Sequence, residues 1–184
     1  MNRDVGHRAV FLDRDGTIME DANCVGDFER VVLIPGAAAA LRQLQDAGYK
    51  LFVVTNQSGV GHGYFPRELV DAIHAHLDAY FGKAGVHLNR YYVCPHRPED
   101  NCDCRKPKPK FLLDAAREYG LDLSRCFMIG DRPTDIQVGI NAGTRTILVL
   151  TGVGRDTLAQ QLVRPDFVAE DIRAAAAWIA QSAT

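Results

Sequence analysis

Two aspartates two positions apart, Asp13 and Asp15, end the apolar run Ala9-Val10-Phe11-Leu12 and are followed at once by Gly16 and Thr17. Carboxylates this close repel each other unless a cation or a shared proton lies between them, so the pair suggests a metal-assisted site with divided roles. The same Asp-Gly-Thr also makes an ordinary turn with two solvated acids, and from this stretch alone both readings stand. A second constellation, Cys94, His96, Cys102 and Cys104, forms the pattern C-x-H-x5-C-x-C. These soft or borderline ligands match a closed tetrahedral Zn2+ site, against the alternative of free surface thiols beside a chance histidine. Four protein ligands leave no position for water, so the zinc would be structural. It would stiffen the loop Arg97 to Asn101, which is too short and polar to fold by burying apolar surface. Cys24 and Cys126 lack such company and read as a loop and a core residue. His74 and His76 cannot share a helix face and read as surface residues.

These side chains need elements to hold them. The Ala9–Leu12 run is short, with β-branched and aromatic members, and reads as a buried strand whose carboxyl end carries the aspartates. Residues 18 to 33 are irregular and contain Gly26, which predicts a flap or loop over the strand ends. Pro35-Gly36 opens a helix to Ala47, with Gly48 at its end. Leu51–Val54 is a second strand, ending in Thr55-Asn56-Gln57-Ser58-Gly59. A glycine-rich loop at 60–65 precedes a helix from Pro66 to about Lys83. Strands are then expected at Tyr91–Val93, Phe127–Ile129 and Thr146–Leu150. Helices fill 108–119 and the stretch ending at Ala142, and a short edge strand near Phe167 precedes a last helix from Asp171 to Gln181. Alternating strands and helices imply a parallel sheet covered on both faces. The lone Trp178 reads as a core or staple residue.

The chain has 184 residues, 47% of them hydrophobic and 24% charged, which fits one globular domain over 1–184. A net charge of −2 without any basic run argues against nucleic-acid and membrane-surface partners. No apolar stretch approaches the roughly 20 residues that span a bilayer, and the charged start lacks a signal segment. The expectation is a cytoplasmic monomer, consistent with cysteines grouped as metal ligands in a reducing compartment.

Four strand-end motifs, Asp13-Arg14-Asp15-Gly16-Thr17, Thr55-Asn56, Arg105-Lys106-Pro107 and Gly130-Asp131-Arg132-Pro133-Thr134-Asp135, occur in an order that resembles the haloacid-dehalogenase (HAD) superfamily of phosphatases. The resemblance runs from about Ala9 to Gly152 and implies a three-layer, Rossmann-like α/β fold around a central, mostly parallel sheet. It implies Asp13 as nucleophile and Asp15 as the acid and base serving the leaving group and the water. Thr55 and the backbone amide of Asn56 would hold phosphate oxygens, and Lys106 would supply positive charge. Asp13, the Asp15 carbonyl and Asp131 would ligate Mg2+. Asp135 would either orient a metal-bound water or cap the helix that starts there.

The zinc loop directly before Arg105-Lys106-Pro107 is similar to one branch, that of the heptose-bisphosphate phosphatases and the histidinol-phosphatase domain. Thr55-Asn56-Gln57-Ser58-Gly59 favours the heptose enzymes, which implies removal of a sugar C7 phosphate on the way to lipopolysaccharide heptose. His62, standing where arginine is usual, and Arg132 with Thr134 depart from that pattern, so histidinol phosphate is the alternative substrate. An inactive phospho-ligand-binding module is the alternative of a different class. Gln57, Ser58, His62 and Arg105 complete the expected substrate contacts, with Arg105, helped by Lys110 or His62, on the phosphate that stays. About 40 residues separate Asp15 from Thr55 and about 50 separate Asn56 from Lys106, so no cap domain fits.

Overall fold

The computed structural model describes residues 7–21 and 31–182. Its centre is β1, Ala9–Leu12, buried at all four positions. Burial on both faces is what a continuous apolar run supports, and it requires covering helices on each side. β1 lies between β2 (Lys50–Asn56) and β4 (Phe127–Gly130), with Phe11 opposite both Phe52 and Met128. β3 (Arg90–Cys94), β5 (Arg145–Val149) and β6 (Phe167–Ala169) complete a six-stranded sheet in the order β3-β2-β1-β4-β5-β6. Every strand pairing in it is parallel.

Successive strand residues point to opposite faces, and the two cores follow that alternation. Val10 and Leu12 pack with Leu41 and Leu44 of α1 (Ala37–Asp46), Leu77 and Phe81 of α3 (Arg67–Lys83), and Ile172 and Ile179 of α7 (Ile172–Ser182). Ala9 and Phe11 pack on the other side with Leu112 and Ala115 of α4 (Lys110–Tyr119) and Val138 and Ala142 of α5 (Pro133–Ala142). A buried Leu contributes roughly 1.5–3 kcal/mol and an alanine far less, so Leu41 and Leu44 dock the alanine-rich α1. Gly120 ends α4 in the left-handed conformation at φ 62°. The three layers and the parallel sheet match the expectation. Among the described residues the connections after β1 and β2 hold no separate cap domain, and no helix is long and apolar enough to cross a membrane.

Four details differ from the sequence reading. The 18–33 segment has an ordered base: Met19 bridges Leu33 antiparallel, Glu20 donates to the Val32 carbonyl at 2.8 Å, and Ile18 and Met19 are fully buried. Its middle, with Cys24 and Gly26, lies outside the described residues. The glycine loop begins as a one-turn helix, α2 (Ser58–Gly61), and an unforeseen helix, α6 (Gly154–Gln160), follows β5. His74 is buried rather than on the surface, because it shares the inward stripe of Val70, Leu77 and Phe81; His76 is exposed. Cys126 is a core residue, and Trp178 stacks on Phe167 with ring centroids 4.5 Å apart.

Candidate active site

The carboxyl ends of β1, β2 and β4 open into one crevice where the order of the sheet reverses, the place at which open α/β sheets bind ligands. Asp13 follows β1 and is 4% exposed. Lys106 reaches it from beyond β3, with Nζ 2.8 Å from Asp13 Oδ1, 2.7 Å from Asp135 Oδ1 and 2.7 Å from the Val54 carbonyl. The Asn56 side-chain amide fixes that lysine's main chain, donating to the Lys106 carbonyl and accepting from its N–H. Asp135 Oδ2 also accepts the Arg132 N–H at 3.0 Å. The carboxylate left open between two roles therefore caps α5 and also anchors the lysine.

Asp13, Asp131 and Asp135 form a buried group whose ligand oxygens lie within 4.8 Å of one another. Asp131 Oδ2 accepts the Val153 N–H at 2.9 Å, while Oδ1 is buried without a hydrogen-bond partner. Gly16 (φ 80°) and Gly152 (φ 55°) admit this carboxylate, because a Cβ on either would fall on it. Burial, then the Asp135 charge, push the Asp13 carboxyl up to about 7 against the pull of Lys106. Burial, then Asp13, push Asp131 up to about 6. Burial opposes the Lys106 charge, but Asp13 and Asp135 outweigh it and hold the ammonium above its ordinary range. With all three carboxylates ionised against one ammonium the group carries two negative charges, which one divalent cation would balance. An all-oxygen donor set with an unpartnered buried oxygen fits Mg2+.

Asp15 sits apart from that group. The Arg14 fork donates to both its oxygens at 2.9–3.2 Å, and Gln57 Nε2 donates to Oδ2 at 2.7 Å and to Thr55 Oγ1 at 2.8 Å. These side chains line a cavity of about 650 Å³ with Asn56, Ser58, Arg105, Arg132, Thr134 and, from α6, Asp156 and Gln160. Arg105 is tethered by NH1 to the His96 carbonyl at 3.1 Å. His62 is not brought in; it stacks on the exposed Tyr64 at the far end of α2. Lys110 pairs with Asp114 outside this cavity. Sequence reasoning missed Arg14, whose signal was a cation between two acids on a buried strand end, and the α6 residues, which carried none.

The second cluster is compact. Cys94 Sγ lies 3.5 Å from Cys102 Sγ and 3.7 Å from His96 Nδ1, and Cys104 Sγ lies 3.5 Å and 3.3 Å from the same two atoms. Tetrahedral zinc with Zn–S near 2.3 Å puts ligands roughly 3.6–3.8 Å apart, so the donor set and its spacing fit. Burial pushes the Cys94 thiol up to about 12, so forming its thiolate requires a cation.

A parallel doubly wound sheet with an aspartate pair, a lysine and two acidic residues just after β4 in one crevice defines a hydrolase of the HAD class, and residues 103–175 match the HAD-hydrolase-like family model. Similarity extends further along the chain. It is 36% identical to D-glycero-beta-D-manno-heptose-1,7-bisphosphate 7-phosphatase of Pseudomonas putida, over 92% of this chain and 97% of that one. It is 40% identical to the corresponding phosphatase of Thermosynechococcus vestitus, over 93% and 94%. The solved D,D-heptose 1,7-bisphosphate phosphatase of Bordetella bronchiseptica, complexed with magnesium and phosphate, superposes with a TM-score of 0.89 at 35% identity, covering 95% of this chain and 99% of that one. The chain belongs to the heptose-1,7-bisphosphate 7-phosphatase family of the HAD superfamily.

Proposed function

We propose that this protein is a Mg2+-dependent phosphatase that removes the C7 phosphate of D-glycero-D-manno-heptose 1,7-bisphosphate through an aspartyl-phosphate and leaves the C1 phosphate in place. The observation that carries the reaction class is Asp13, buried yet lining the cavity, with Lys106 Nζ at 2.8 Å and the unpartnered Asp131 oxygen in the same group. Asp13 attacks phosphorus and takes the phosphoryl group, and Asp15 gives its proton to the departing sugar oxygen. Asp15 then takes a proton from the water that releases phosphate. Thr55 and the backbone N–H of Asn56 hold equatorial oxygens, and Lys106 balances their charge. Asp13, Asp131 and the Asp15 carbonyl would hold Mg2+, which when bound screens the phosphate dianion from the attacking carboxylate. Ser58 and the Arg105 fork face the rest of the substrate, with Arg105 on the retained phosphate.

Cys94, His96, Cys102 and Cys104 hold structural zinc in this reading, and a cysteine set used as metal ligands supports a reducing, cytoplasmic setting. It works as one domain over 1–184 and as a monomer on a small phosphorylated substrate, without nucleic acid or membrane. The test is phosphate release with Mg2+ from heptose 1,7-bisphosphate and from histidinol phosphate, with Asp13→Asn as the blank. The bisphosphate should turn over at least tenfold faster by kcat/KM. Faster turnover of histidinol phosphate would overturn the substrate, and turnover by the blank would overturn the nucleophile.

A further inference from the structure

Arg14 is a buried guanidinium that does not touch the Asp13, Asp131 and Asp135 group. Its Nε and NH2 serve the Asp15 carboxylate, which leaves NH1 in need of an acceptor in a side chain only 5% exposed. That acceptor comes from a different element: His74 Nε2 of α3, 3.4 Å from NH1. The imidazole has little freedom to leave. It lies flat on the Tyr91 ring of β3, with centroids 4.1 Å and planes 12° apart, and the Tyr91 hydroxyl donates to Asp78 Oδ1 of α3 at 2.9 Å. A chain of contacts thus runs from Asp78 through Tyr91, His74 and Arg14 to Asp15.

We propose that His74 and Arg14 are positioning residues for the acid–base step: His74 fixes the Arg14 fork, and the fork fixes the Asp15 carboxyl group, which in its protonated form gives its proton to the leaving oxygen and is left as the carboxylate. Only a neutral imidazole can play this part, since a guanidinium needs an acceptor and repels a second cation. Burial, and after it the Arg14 charge, lower His74 to about 3, so it presents that acceptor throughout the working pH range. Two donors hold Asp15 from opposite chain segments, Arg14 beside it and Gln57 after β2. A planar carboxylate gripped on both oxygens has one orientation, and proton transfer depends on such placement.

The inference rests on Asp15 being the general acid. Its signature is therefore a leaving-group dependence: an alkoxide of a sugar needs the proton, a nitrophenolate scarcely does. His74→Phe keeps the stacked ring and removes the acceptor, and His74→Gln restores an acceptor oxygen near the Nε2 position. Each variant, with Asp15→Asn and Arg14→Lys, is assayed on heptose 1,7-bisphosphate and on 4-nitrophenyl phosphate. His74→Phe should lose at least tenfold in kcat/KM on the sugar phosphate and under threefold on the aryl phosphate, and His74→Gln should recover most of that loss. Arg14→Lys, which keeps charge without the fork, should show the same split and provides the test if His74→Phe does not fold. Equal losses on both substrates in the His74 and Arg14 variants, while Asp15→Asn keeps the split, would reduce the contact to packing and overturn the inference alone. Equal losses in Asp15→Asn itself would overturn the acid role and the inference with it.

Discussion

His74 meets Arg14 and Arg67, which oppose a proton on its ring, and Asp71 and Asp15, which favour one; burial, the largest cause, acts with the two arginines and holds it near 3. An unfolded chain takes up that proton below about pH 6.5. Folding must therefore exclude it across the interval between the two values, and the folded state loses stability as pH falls through that window and regains it as pH rises. Between pH 7 and pH 5 the loss amounts to about 2 kcal/mol. Urea denaturation of the parent and of His74→Gln, each with Mg2+ present, isolates the effect, because the carboxylates are common to both proteins. The stability difference between them should move by about 2 kcal/mol over those two pH units, and a constant difference would mean that the folded ring titrates normally. The inward position was legible in the sequence. Val70, His74, Leu77 and Phe81 are spaced four, three and four apart, the stripe of a packed helix face. Comparing His74 only with His76 hid it.

At the scale of elements, the strand ends were the most legible part. Small polar and acidic residues stop apolar runs at Asp13, Thr55 and Asp131, and the parallel pairing then brings those stops to one edge. The helix α6 was not legible, because its seven residues open on Gly154 and carry no apolar period; tertiary contacts hold it. Thr157 Oγ1 donates to the Asp131 carbonyl at 2.8 Å, and Gly154 lies so close to the Val149 carbonyl that a Cβ would not fit. The zinc loop was readable as a ligand pattern, but its link to the cavity was not: the Arg105 hydrogen bond to the His96 carbonyl joins the two. Replacing Cys102 and Cys104 by serine should empty the zinc site and free Arg105, lowering kcat/KM for the bisphosphate at least tenfold while Mg2+ still binds. Metal analysis and steady-state kinetics check this. Zinc-free variants with parental activity would detach the loop from catalysis.

For the whole molecule, the fold concentrates like charge where it needs a cation. Asp13 near 7 and Asp131 near 6 bind protons more tightly than they do unfolded, so in metal-free protein both subtract stability as pH rises from about 4 to about 7. Above that range the cost is fully present, up to about 3 kcal/mol for Asp131 by its displacement from the ordinary carboxylate value. A site that gives up stability for function should become more stable when the function is removed. Asp131→Asn keeps an oxygen for the Val153 N–H and turns the unpartnered atom into an amide donor beside Asp13. In chelator at pH 7.5 this variant should therefore melt several degrees above the parent. Mg2+ at about a hundred times its dissociation constant should add about 2.7 kcal/mol to the parent and little to the variant, which would be inactive. Melting curves with and without Mg2+ decide the matter. A variant less stable than the metal-free parent, or equal gains from Mg2+ in both proteins, would mean that the buried acids are neutralised by something other than the cation.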